Sequence, residues 1–97
     1  MDFIEPNINE FTVYSRSDCI YCIRVKNLLK TKNIQFTVID CDDYYIENKT
    51  DFLLFINKIS NTEVKGFPMV FHNKKFIGGY NETKIYIEKL LAFDEEF

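Results

Sequence analysis

Cys19-Ile20-Tyr21-Cys22 stands between two segments of opposite character. Before it runs Phe11-Thr12-Val13-Tyr14-Ser15, β-branched and aromatic, which reads as a strand. After it, over residues 22–32, Val25, Leu28 and Leu29 keep helical spacing while Arg24, Lys26, Lys30 and Lys32 take the other side. A strand that passes into an amphipathic helix through a C-x-x-C pair places both cysteines at the carboxyl end of a sheet strand, where open α/β sheets bind their ligands.

The spacing also bounds the chemistry. Two cysteines three positions apart at a helix start lie near one another, so their sulfurs can close a small disulfide with little backbone movement. Unpaired N–H groups and the positive end of the helix dipole point at the first sulfur and favour its ionised form. Cys19 is therefore the candidate nucleophile and Cys22 the resolving thiol. Arg16 adds a positive charge beside them and Asp18 a negative one. These oppose each other, so sequence leaves the sign of the net shift open.

The remaining elements follow from periodicity and turn chemistry. Lys30 and Lys32 suit the last turn of the first helix, and Asn33 is a fitting stop. Residues 35–40 read as a second strand with Val38 and Ile39 in the core. Thr50 is the expected N-cap of a helix over 51–60, in which Phe52, Phe55, Ile56 and Ile59 repeat at helical spacing. Residues 69–72 and 75–78 form two short runs joined by Asn73-Lys74, a hairpin signal. Asn81 is the expected cap of a last helix with Ile87, Leu90 and Leu91 on one face and Tyr86 and Phe93 beside it. Residues 1–10 read as an N-terminal extension lying on the surface. The order is β-α-β-α-β-β-α, a thioredoxin-fold α/β class with a four-stranded mixed sheet and about three helices.

With 97 residues, ten Phe and six Tyr, the chain fits one domain that buries roughly 60–65% of its unfolded surface. A net charge of −3, with acids gathered over 40–51 and at 94–96, argues against a nucleic-acid surface. There is no apolar run near the ~18 residues of a membrane span and no secretory pattern, so the expectation is a soluble, cytoplasmic protein in reducing surroundings. Three cysteines suit no disulfide scaffold. A zinc set of Cys19, Cys22, Cys41 and His72 would need paired ligands on short knuckles, which this spacing does not provide, so no metal is expected. Cys41 reads as a small buried hydrophobe and His72 as a strand-face residue rather than a base.

Three motifs together, Cys19-Ile20-Tyr21-Cys22, Gly66-Phe67-Pro68 and Gly78-Gly79-Tyr80-Asn81-Glu82, resemble those of the glutaredoxins over residues 10–93. The resemblance implies a glutathione-dependent thiol–disulfide oxidoreductase that reduces protein disulfides and glutathione mixed disulfides. It implies a cis peptide before Pro68, with the Phe67 backbone pairing a substrate like an added strand. Glutathione would be reductant and co-substrate, with no tightly bound cofactor. Its γ-glutamyl end would meet Gly79, Tyr80, Asn81 and Glu82, its cysteine Phe67, and its glycyl carboxylate Arg16 and Lys65, with Tyr21 walling the pocket. Partners implied are disulfide-bearing or glutathionylated proteins, ribonucleotide reductase among them by family analogy, acted on by a monomer. Ile20 replaces a common proline, Gly66-Phe67 a common Thr-Val, and Glu82 a common Asp. Two alternatives stay open: a glutaredoxin-like thioredoxin reduced by thioredoxin reductase, and a module that ligates an iron–sulfur cluster with glutathione.

Overall fold

β1 (Phe11–Ser15) is buried at all five positions, the mark of a strand covered on both faces and both edges. The computed structural model describes residues 3–64 and 66–95, the last three by backbone alone. After β1 come α1 (Ile20–Thr31), β2 (Phe36–Asp40), α2 (Asp42–Glu47), α3 (Lys49–Ser60), β3 (Met69–His72), β4 (Lys75–Gly78) and α4 (Tyr80–Glu95). The sheet order is β2-β1-β3-β4, with β1 and β2 parallel and the other pairs antiparallel. This is the thioredoxin-fold arrangement, with one helix more than the sequence predicts.

Because side chains alternate along a strand, β1 feeds two cores. Phe11 and Val13 join Val25 and Leu29 of α1, Val70 of β3 and Ile87 of α4 on one face. Tyr14 joins Ile39, Cys41, Met69 and Phe71 with Phe52 and Ile56 of α3 on the other. The β3–β4 connection is a two-residue turn with Asn73 at φ 53° and Lys74 at φ 67°, the left-handed pair that matches strand twist. Asn33 and Asn61, at φ 57° and 58°, end α1 and α3 in the left-handed conformation that asparagine tolerates.

Several expectations are corrected. The polar stretch after β2 contains α2, a helix of six residues. It is too short to reveal a period, and its aromatic Tyr44 and Tyr45 pack onto the α3 core. α3 starts at Lys49 with Asn48 as its N-cap residue, so Thr50 lies inside it. Asn81 likewise lies inside α4, which begins at Tyr80. Val38 is 42% exposed: it sits on the edge strand β2, on the α1 and α4 side, beyond what those helices cover. Leu90 is 36% exposed, whereas Ile87 is buried. The expected contact of Phe93 falls outside the described residues.

The N-terminal segment does not simply lie on the surface. Phe3 sits 5.0 Å from Tyr44, 5.5 Å from Phe52 and 5.3 Å from Phe55, ring to ring. Pro6 is buried, and the Tyr14 hydroxyl donates to the Ile4 carbonyl at 2.6 Å. Phe52, wholly buried, is the ring that Phe3, Tyr14, Tyr44, Phe55 and Phe67 all meet. Phe52→Ala should therefore cost about 3–5 kcal/mol in urea unfolding, and a loss under about 1 kcal/mol would show that the aromatic cluster is not the hub of this face.

Candidate functional site

Strand register gathers the three motifs at one end of the sheet. Ser15, the last residue of β1, precedes the dithiol loop, while β3 runs antiparallel with Met69 opposite Tyr14. Pro68 therefore arrives beside the end of β1. Gly78 at the end of β4 pairs with Val70, which brings Gly79 within reach of the same corner: a side-chain carbon on Gly79 would lie 3.6 Å from the Pro68 carbonyl oxygen. On the other side Asp40 pairs with Ser15, so α2 begins at this end too.

Cys19 is the N-cap residue of α1, extended at φ −105° and ψ 108°, and its Sγ accepts the Cys22 N–H at 3.2 Å. An N-cap side chain satisfies one of the orphan donors of the first turn, and here a sulfur does so. The two thiols differ in access. Cys19 is half-buried and Cys22 fully buried. Burial, with the hydrogen bond to Cys19, pushes the Cys22 thiol up, while hydrogen bonds from the Arg16 backbone and the Ser15 side chain pull it partly back. An accessible sulfur followed by one that keeps its proton is the asymmetry a two-step exchange requires.

Next to the dithiol lies a cleft of about 740 Å³. Of the residues expected to bind, it brings together Tyr21, Phe67, Pro68, Gly79, Tyr80, Asn81 and Glu82. The Phe67–Pro68 peptide is cis. Tyr21 and Tyr80 close one side, their ring centroids 6.0 Å apart. Glu82 Oε1 accepts the Gly79 N–H at 2.9 Å, half of a capping box at the start of α4. Gly78 has φ 136°, and a side-chain carbon there would meet Glu82 Cβ at 2.7 Å, so this turn admits only glycine. Thr62, Glu63, Val64, Phe76 and Ile77 also line the cleft. The sequence offers no reason to choose them: residues 62–64 follow α3 in a loop that carries no motif, and Phe76 and Ile77 read as plain positions of the strand β4. Lys65 lies outside the described residues.

Arg16 does not line this cleft. Its Nε is 3.6 Å from Asp42 Oδ1, and its guanidinium lies 4.4 Å from the Tyr45 ring centre. Asp42 also accepts the Ser17 N–H at 2.9 Å and the Ser17 hydroxyl. The Ser17 hydrogen bonds foremost, with Arg16 adding, hold the Asp42 carboxyl below its ordinary range. Asp42 and Tyr45 were not foreseen as site residues, since both belong to the unforeseen α2. His72 pairs with Phe11 at the far end of the sheet, where its Nδ1 lies 2.7 Å from the Tyr86 hydroxyl and burial lowers its pKa. Cys41 is buried, and its thiol donates to the Ile39 carbonyl at 3.4 Å.

Fold and site together define a thioredoxin-fold protein with a dithiol at a helix start and a cleft beside a cis-proline. Comparison with known proteins gives the family. Residues 11–77 match the glutaredoxin family model, and the chain belongs to the glutaredoxin family. It is 31% identical to mitochondrial glutaredoxin-2 of Bos taurus over 75 residues, 77% of this chain but 45% of that protein's length. The crystal structure of glutaredoxin 1 from Francisella tularensis, in complex with cacodylate, superposes with a TM-score of 0.75 at 27% identity, covering 86% of this chain and 96% of that one. A buckwheat glutaredoxin–glutathione complex superposes with a TM-score of 0.66 at 28% identity, covering 87% and 74%.

The buried third thiol leaves a measurable mark on stability. Burial raises Cys41 from the ordinary thiol value of 9.0 to about 12. The folded chain keeps a proton that the unfolded chain releases. This contribution is whole below pH 9.0 and is lost as pH rises toward 12, at about 1.4 kcal/mol per pH unit. Tyr14, raised by burial from 10.0, acts in the same direction at higher pH. Denaturation from about pH 8 to about pH 11 should therefore show a shallower alkaline fall in Cys41→Ala than in the wild type, and equal slopes would contradict this burial.

Proposed function

We propose that this protein is a dithiol glutaredoxin, a glutathione-dependent thiol–disulfide oxidoreductase with Cys19 as nucleophile and Cys22 as resolving thiol. The observation that carries this reading is the N-cap geometry of Cys19: an accessible sulfur at the start of α1, three residues before a buried thiol whose pKa is raised. Support for glutathione comes from the cleft, which unites Tyr21, Phe67, Pro68 and the Gly79-to-Glu82 turn, and from the buckwheat relative described with glutathione.

On a glutathionylated protein, the Cys19 thiolate attacks the glutathione sulfur, the protein thiolate leaves, and a Cys19–glutathione disulfide forms. A second glutathione thiolate then attacks the bound glutathione sulfur, regenerating Cys19 and releasing glutathione disulfide. On a protein disulfide, the Cys19 thiolate attacks one substrate sulfur, the substrate S–S bond breaks with the other sulfur leaving as a thiolate, and a mixed disulfide with Cys19 forms. Cys22 loses its proton and attacks Cys19 Sγ, which releases the second substrate thiolate and leaves the Cys19–Cys22 disulfide. Two glutathiones reduce that bond and leave as one glutathione disulfide. In this reading Phe67 pairs with the glutathione backbone, residues 79–82 meet its γ-glutamyl end, and its glycyl carboxylate extends out of the cleft to Arg16, which sits against Tyr45 beside Phe67, with Lys65 as the second cation. A ribonucleotide reductase is one class of client consistent with the chemistry.

Reduction of a glutathionylated peptide, coupled to glutathione reductase, tests the assignment. Cys19→Ser should lose at least about 100-fold, while Cys22→Ser keeps this activity and loses reduction of an intramolecular protein disulfide. Turnover with thioredoxin reductase but not with glutathione would overturn the glutathione reading.

A further inference from the structure

α2 packs one aromatic ring between the two loops that frame Cys19, and nothing in the reaction above uses it. The Tyr45 ring is met by the Arg16 guanidinium at 4.4 Å, from the loop leading to Cys19. It is met by Phe67 at 5.4 Å and 78°, edge to face, from the loop leading to Pro68. Phe67 is held from another side by Phe52, whose ring is parallel to it at 6.1 Å and 3°. Lys49 Nζ adds a second cation 4.8 Å from the Tyr45 ring centre. At the start of α2, Asp42 pairs with Arg16 and binds Ser17, so the helix grips the Cys19 loop with its first turn and with Tyr45.

The contacts at Tyr45 are of two kinds that only an aromatic ring serves together. A guanidinium is attracted to the electron-rich face, and an edge-to-face neighbour needs a flat partner at a fixed angle. An aliphatic residue of similar volume fills the space and provides neither. Arg16 is a long, flexible side chain, and Phe67 belongs to a loop, so each has other conformations unless something holds it. Tyr45 holds both at once.

We propose that Tyr45 is a positioning residue for substrate binding: its ring sets the Arg16 cation and the Phe67 backbone at a fixed separation across the site, matched to one extended thiol peptide. This rests on the proposed glutathione reading, in which those two groups meet the same substrate. Tyr45 touches no reacting atom. Its loss should weaken capture of the glutathionyl group and leave the intrinsic thiol chemistry of Cys19 unchanged.

The test compares wild type, Tyr45→Leu, Tyr45→Phe, Arg16→Gln and the Arg16→Gln/Tyr45→Leu double variant. Each is assayed for KM and kcat on a glutathionylated peptide and for the pH profile of Cys19 alkylation by iodoacetamide. Tyr45→Leu should raise KM roughly 5- to 10-fold with kcat within about 2-fold. Tyr45→Phe should stay within about 2-fold of wild type, and the alkylation profiles of both Tyr45 variants should coincide with that of the wild type. The double variant should raise KM by less than the product of the two single effects, because the ring acts partly through Arg16. An unchanged KM in Tyr45→Leu, strict additivity with Arg16→Gln, or a shifted alkylation profile in either Tyr45 variant would overturn the proposal. If Tyr45→Leu does not fold, as judged by circular dichroism, the Tyr45→Phe and Arg16→Gln arms still decide: a KM raised in Tyr45→Phe, or unmoved in Arg16→Gln, overturns it. Inactivity of the wild type with glutathione would instead refute the underlying functional reading.

Discussion

The pairing of Tyr14 with Ile39 on one side and with Met69 on the other decides where every loop of the site emerges. β1 supplies apolar side chains to both faces, so a slip by one residue would send Val13 toward the α3 core and Tyr14 toward the α1 core. The size difference between those side chains, together with the Tyr14 hydrogen bond to the Ile4 carbonyl, makes such a slip costly. With the register held, the end of β1, the start of β3, the end of β4 and the start of α2 share one corner. The dithiol, the cis-proline and the Gly78-Gly79 turn then meet without any long loop to position them.

What was legible in the chain was whatever repeats. α1, α3 and α4 have enough turns for an apolar face to show, and Asn73-Lys74 announces a hairpin because few residues tolerate positive φ in succession. The three site motifs were legible because each carries unusual residues at fixed spacing. α2 was not. Six residues make fewer than two turns, and its sequence, Asp-Asp-Tyr-Tyr-Ile-Glu, mixes charge and aromatic without a period. Its role depends on neighbours distant in sequence, Ser17 for Asp42 and Phe67 for Tyr45. The same limit explains Val38: alternation shows which face a residue takes, not whether a helix covers that face at the sheet's edge.

The site is asymmetric in a way that suits sequential chemistry. Cys19 is reachable and caps a helix, Cys22 is buried behind it, and Cys41 is sealed in the α3 core with a thiol that holds its proton to about 12. Depth thus ranks three identical side chains, one accessible at a helix start, one buried behind it and one sealed in the core, which is the ranking the proposed exchange needs. Around them the walls are braced from opposite directions: Glu82 ties the Gly79 turn to α4, and Asp42 with Tyr45 ties the Cys19 and Phe67 loops to α2. A groove built this way is preformed, as the proposed capture of an extended thiol peptide requires.

Exposure of the Cys22→Ser protein to glutathione disulfide, followed by peptide mapping under non-reducing conditions, tests this ranking of thiols most directly. The account predicts one glutathionyl group, carried by Cys19, with Cys41 unmodified until the protein is denatured. An adduct on Cys41 in the native protein, or none on Cys19, would contradict it.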